Sequence, residues 1–146
     1  MNNGAVIVVG VDGSDRADRA LDWAIDEALI REATVRVVTA WHVPLVVQAK
    51  AGAIPPANNS LEDTIRQAAE AIATAAAARV RDAVNTPVET AVVEGDAADV
   101  LIDRARDAQL LVVGSPGHKT LSGNLLTGSV GLQCALHAAV PTTVVH

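Results

Sequence analysis

Val6-Ile7-Val8-Val9-Gly10-Val11, followed at once by Asp12-Gly13-Ser14, is the stretch that decides the fold. A strand with one wet face alternates apolar and polar residues. A near-continuous β-branched run instead marks a strand buried on both faces, as in a parallel sheet covered by helices. The small polar residues end that strand. Beyond them Ala17, Ala20, Leu21, Ala24, Ile25, Ala28 and Leu29 recur at spacings of three and four, which predicts a helix from about Asp15 to Glu32. Ser14 stands just before this pattern and is the better cap candidate. Asp18, Asp22 and Asp26 occupy the opposite, solvated face.

The same alternation continues outward. Thr34 to Trp41 reads as a second strand through Val35, Val37 and Val38. The stretch from His42 to Asn59 holds Pro44, Gly52, Pro55 and Pro56, and it is too irregular for an element and too long for an ordinary connection. Ser60-Leu61-Glu62-Asp63 combines a cap residue with a carboxylate three positions on and opens an alanine-rich helix to about Val84. Val88 to Val93 is a third strand, and Gly95-Asp96 turns into a short helix on Val100, Leu101, Ile102 and Ala105. Leu110 to Val113 is the fourth strand, a helix runs from about Gly128 to Ala138, and Thr142 to Val145 is the last strand. Strictly alternating elements with right-handed crossovers give an α/β fold: a single-domain (1–146), doubly wound, five-stranded parallel sheet of Rossmann-like type. With strand order 3-2-1-4-5 the winding reverses between the first and fourth strands, and ligands of such sheets bind at the carboxyl ends there.

Composition narrows the partners. Eleven Lys and Arg against 17 Asp and Glu give a net charge of −6, which argues against nucleic acid. Tyr and Phe are absent, so only Trp23 and Trp41 could stack on a base, and both read more readily as core fillers. No apolar run has bilayer-spanning length, which predicts no membrane partner and a cytoplasmic protein. Cys134 is alone and reads as a buried structural thiol.

The fourth strand stops at Gly114-Ser115-Pro116-Gly117, and the chain resumes as a helix near Gly128-Ser129. Strand, glycine loop and helix N-terminus form a geometry that holds a phosphate through main-chain N–H groups. Gly114 and Gly117 would permit positive φ and close ligand approach, while Gly128 and Ser129 would offer amide donors where the helix dipole favours an anion. Alone, the two glycines equally suit an ordinary strand-ending turn, and Ser129 equally suits a cap. Asp12 has three readings: a cap for the first helix, a bond within its own turn, or an acceptor for a ribose hydroxyl or adenine amino group. His118 and Lys119 lie in the loop where either could reach a phosphate, but both read more readily as solvated loop side chains. The segment is not a P-loop, because His118 precedes Lys119 and Val113 stands where the first glycine belongs.

Val9-Gly10-Val11-Asp12-Gly13-Ser14, Gly114-Ser115-Pro116-Gly117 and Gly128-Ser129 together make the chain resemble the universal stress protein family over nearly its whole length. The family's loop pattern is G-x2-G-x9-G-[ST], and members that keep it bind ATP. The resemblance implies a regulatory stress-response protein that takes ATP, alone or with magnesium, or another adenine nucleotide, cyclic AMP included. It implies that Val11 and Asp12 meet adenine or ribose, that Ala40 lines the adenine pocket, that Gly114 and Gly117 meet ribose and phosphates, and that Gly128, Ser129 and Val130 meet phosphates. One departure stands out: ten residues rather than nine separate Gly117 from Gly128, with Thr127 where the pattern expects glycine. That spacing keeps open a nucleotide-free interaction protein of the same fold.

No catalytic constellation is visible. His42, His118, His137 and His146 show no ligand spacing with one another or with Cys134, and no metal site is expected. A slow ATPase is the weakest alternative. The final strand, Thr142-Thr143-Val144-Val145, forms an uncharged sheet edge, which together with the resemblance predicts a homodimer through that strand.

Overall fold

The computed structural model describes residues 4–44, 60–83, 87–115 and 130–146. Along the chain these form β1 (Val6–Gly10), α1 (Asp15–Arg31), β2 (Thr34–Trp41) and α2 (Leu61–Ala83). They continue with β3 (Val88–Glu94), α3 (Ala97–Arg104), β4 (Leu110–Gly114), α4 (Val130–His137) and β5 (Thr142–Val145). The five strands lie in the order β3-β2-β1-β4-β5, every pair parallel, as the alternation of elements predicts.

Both faces of the sheet are covered, and the two-residue period of each strand sorts its side chains between two cores. Ile7, Val9 and Val11 join Val35, Val37, Leu110 and Val112 beneath α1 and α2, together with Leu21, Ile25, Ala76 and Val80. Val6, Val8, Val38, Leu111 and Val113 face the other way, toward Val100, Leu101 and Cys134 of α3 and α4. Ile7, Val8 and Val9 are completely buried. Each such side chain contributes about 2 kcal/mol of transfer free energy, which is why a continuous β-branched run suits the centre of this sheet.

Local signals explain the helix ends. Ser14 caps α1 as expected, its Oγ accepting from the Ala17 N–H at 3.2 Å. Glu32, expected as the last helical residue, instead lies just beyond α1 with φ 53, in the left-handed region, and its N–H donates to the Ala28 carbonyl. Ser60 caps α2 by accepting from the Asp63 N–H at 3.1 Å, whereas the Asp63 carboxylate meets Arg66 at 3.2 Å. Asp96 caps α3, accepting from the Asp99 N–H at 3.2 Å.

Candidate functional site

The reversal of winding falls between β1 and β4, and what lies above their carboxyl ends follows from register. Val9 pairs with Val112, so continuing the ladder brings Val11 level with Gly114. Val11 is still held by the sheet on its other side, its N–H donating to the Val38 carbonyl at 3.0 Å. Asp12 stands one residue higher and is exposed. The first-strand turn and the end of the fourth strand therefore meet at one place, as the strand order requires.

Asp12 takes the second of its three sequence readings: its Oδ1 accepts from the Ser14 N–H at 2.9 Å, closing an Asx turn. Its Oδ2 has no partner among the described residues, so one carboxylate oxygen is held and the other faces outward. Gly13 follows with φ 85, a conformation that favours glycine, and a Cβ there would come within 3.3 Å of Ile72 Cδ1.

Gly114 is a glycine for a different reason from the one its position in the loop suggests. Positive φ among the described glycines is confined to Gly4, Gly13 and Gly95. A Cβ on Gly114 would instead lie 2.9 Å from the Arg16 carbonyl oxygen and 3.0 Å from its carbon. The bare α-carbon lets the first turn of α1 rest on the end of β4. Sequence reasoning attached Gly114 to a ligand through backbone freedom, whereas its observed constraint is close packing between two elements.

The remaining predicted residues divide by location. Ala40 is half-buried near the end of β2, level with Val93 of β3, and packs into the core beneath α3 and α4. Val130 begins α4 and packs into that same core. Val11 belongs to the opposite core, so the ends of both cores border the crevice. Gly117, His118, Lys119, Gly128 and Ser129 lie outside the described residues. Trp41 ends β2, where its carbonyl accepts from the Gly95 N–H at 2.8 Å, while Trp23 packs against the α1 and α2 core.

Two residues at this end carry features that pattern reading missed. Thr39 is 2% exposed, and its Oγ1 has no hydrogen-bond partner among the described residues. A hydroxyl within an otherwise apolar strand run, Val37-Val38-Thr39-Ala40, was the available signal. Arg16 is the second, a cation in a helix first turn where the dipole disfavours it. An open groove of about 410 Å3 lies beside the turn, lined among others by Val11, Gly13, Leu21, Ile72 and Ala76.

Cys134 is fully buried, as expected, and burial pushes its thiol up to about 11, with the nearby Asp96 carboxylate adding to the rise. It is therefore an inert core thiol near neutral pH. His137 closes the last turn of α4. Among the described residues no group of three or more His, Cys, Asp and Glu is placed to hold a metal, and no helix is long and apolar enough to cross a membrane.

A model of the Universal stress protein family matches residues 5–146. The chain belongs to that family. A universal stress protein of Mycolicibacterium smegmatis is 34% identical over 143 residues, covering 96% of this chain and 47% of its own length. The chain thus spans about half the length of that curated relative. Among solved structures, a universal stress protein in complex with cAMP is 32% identical, covers 97% of each chain and superposes with a TM-score of 0.74. The universal stress protein UspA from Lactobacillus plantarum, 19% identical with 97% of each chain covered, superposes with a TM-score of 0.76 and shares the fold.

Proposed function

We propose that this universal stress protein binds an adenine nucleotide, ATP foremost, at the carboxyl ends of β1 and β4 and acts as a regulatory module. The observation that carries this reading is the convergence, at the winding reversal between β1 and β4, of the Asp12 turn, whose Oδ2 has no partner among the described residues, and the end of β4, where Arg16 rests against Gly114. In this arrangement Asp12 accepts from a ribose hydroxyl or the adenine amino group, while Val11 and Ala40 border the base. Gly114, Gly117, Gly128, Ser129 and Val130 bring main-chain donors to the phosphates, with His118 and Lys119 as side-chain candidates. Similarity at 32% identity to a family member solved with cAMP supports an adenine ligand. Magnesium, where it accompanies ATP, would be held by the phosphates with Asp12 as a carboxylate neighbour, the usual manner for that ion.

Two parts of the reading concern assembly and chemistry. The β5 edge, Thr142-Thr143-Val144-Val145, carries no charge and is half-exposed throughout, which suits pairing with a second copy. The module works in the cytoplasm as a binder rather than a catalyst, with hydrolysis at most slow. Titration calorimetry of nucleotide-free protein with ATP is the test, and binding at sub-millimolar ATP is the expected result. The absence of heat, with no small molecule released from native protein on denaturation, favours the second reading. That reading is a nucleotide-free homodimer, motivated by the ten-residue spacing from Gly117 to Gly128. A chain that sediments as a monomer at micromolar concentration removes the dimer from both.

A further inference from the structure

We propose that Arg16 is the cation that receives the phosphate chain of the nucleotide, and that it makes the site favour di- and triphosphates over the nucleoside. The inference rests on the adenine-nucleotide reading above and deepens it. The turn above β1 is acidic: Asp12 leads into a first helical turn that contains Asp15 and Asp18. Carboxylates there suit the α1 dipole but repel a polyphosphate. A cation in the same turn is unfavourable for the helix by itself, so α1 gives no local reason for Arg16.

Its position supplies one. The backbone of Arg16 lies against Gly114, and a Cβ built on that glycine would lie 3.3 Å from the Arg16 Cβ. The arginine side chain therefore leaves α1 beside the end of β4, where the glycine segment begins. The residue is partly exposed, and its guanidinium has no ion-pair or hydrogen-bond partner among the described residues. Arg31, Arg36, Arg66, Arg79 and Arg106 each face a carboxylate instead, and of the guanidiniums without a partner among the described residues, those of Arg16, Arg19, Arg81 and Arg104, Arg16 is the one whose backbone rests on Gly114. A guanidinium without a partner among the described residues, beside the end of β4, presents a planar fork of donors suited to phosphate oxygens.

The test is calorimetry of the nucleotide-stripped full chain with adenosine, AMP, ADP and ATP, without magnesium. Wild type gains affinity as phosphates are added. Arg16→Gln weakens ATP about tenfold and leaves adenosine within about twofold, and Arg16→Lys recovers part of the loss. Arg81→Gln removes a cation from the far end of α2 and leaves every ligand unchanged. Glutamine keeps the backbone and Cβ that Gly114 touches, so thermal stability stays at the wild-type value. Equal ATP affinity in wild type and Arg16→Gln, or an equal loss for adenosine and ATP, overturns the inference while leaving the nucleotide reading intact. A wild type that binds none of the four overturns the nucleotide reading itself.

Discussion

The two ends of the sheet carry hollows of similar size, one lined mainly by charged side chains and the other mainly by apolar ones. At the amino end a hollow of about 380 Å3 is lined by Arg36, Glu89, Thr90, Ala91, Asp103, Arg104 and Asp107. Arg36 dominates it, and every nitrogen of its guanidinium is engaged. Nε donates to Glu89 at 3.1 Å, and Nη1 donates to the Arg104 carbonyl at 3.0 Å and to Asp107 Oδ1 at 2.8 Å. Nη2 reaches Asp107 Oδ2 at 3.4 Å. The hydrogen bond from Arg36 holds the Asp107 carboxyl below its ordinary value, and the same bond raises Arg36. Those charges cross-link β2, β3 and the end of α3, and little of them remains for a ligand.

At the carboxyl end a groove of about 410 Å3 runs beside the first turn, and apart from it, among the described residues, one oxygen of Asp12 and the Arg16 guanidinium have no partner while the Thr39 hydroxyl is buried without one. Volume does not distinguish the two ends. What distinguishes them is whether polar groups have found partners within the fold. Natural proteins leave buried groups unpaired where something else satisfies them.

The largest expected effect falls on the contact that builds the carboxyl end. Gly114→Ala forces a methyl group to within 2.9 Å of the Arg16 carbonyl oxygen. It should destabilise the protein by about 2 kcal/mol, lowering the midpoint of thermal unfolding by about 4–8 °C and weakening nucleotide binding as α1 shifts. An unchanged midpoint would show that α1 does not rest on β4 as described. Asp12→Ala comes next, with a loss of about tenfold in adenine-nucleotide affinity and about 1 kcal/mol of stability from the broken turn. Asp12→Asn keeps the turn acceptor and separates the two effects, because stability should return while affinity stays reduced.

Thr39→Val replaces an unpartnered buried hydroxyl with a methyl group of similar shape. It should stabilise the ligand-free protein by about 1 kcal/mol in denaturant unfolding. A destabilised variant would mean that the hydroxyl has a partner after all. The smallest effect belongs to the amino end. Asp107→Asn should leave nucleotide affinity unchanged and cost a small amount of stability that shrinks with added salt, because the Asp107 side chain is 70% exposed. Its folded carboxyl lies below the ordinary 3.8, so the wild-type advantage is present above that value and disappears as pH falls through the folded one. Urea unfolding of both proteins at neutral pH and in acid checks the sign. An affinity change in this variant would erase the distinction between the two ends.

Much of this architecture is legible without coordinates. β2 and β5 begin and end at the expected residues, the alternation of elements leads to the parallel sheet, and the strand order is the 3-2-1-4-5 expected for it. The capping roles of Ser14, Ser60 and Asp96 follow from one side chain meeting one nearby N–H, a local event that sequence encodes. Glu32 resisted reading because a non-glycine residue rarely adopts the left-handed conformation it takes at the end of α1. Asp12 takes one of the three roles the sequence left open, whereas the constraint on Gly114 is close packing rather than backbone freedom. The Asp12 turn competes with ligand binding for the same carboxylate, and the Gly114 contact joins residues almost one hundred positions apart in the chain.

By itself the sequence determined the elements, their parallel arrangement and the two segments that border the crevice, because hydrophobic period, caps and turns act over a few residues. Tertiary structure alone decided that Gly114 serves α1 packing, that Arg16 emerges beside the end of β4, that Thr39 is buried without a partner, and that Arg36 is saturated. Each of these depends on which distant groups arrive at the same place. No local pattern records whether a polar side chain, once there, meets a partner or remains available to a ligand.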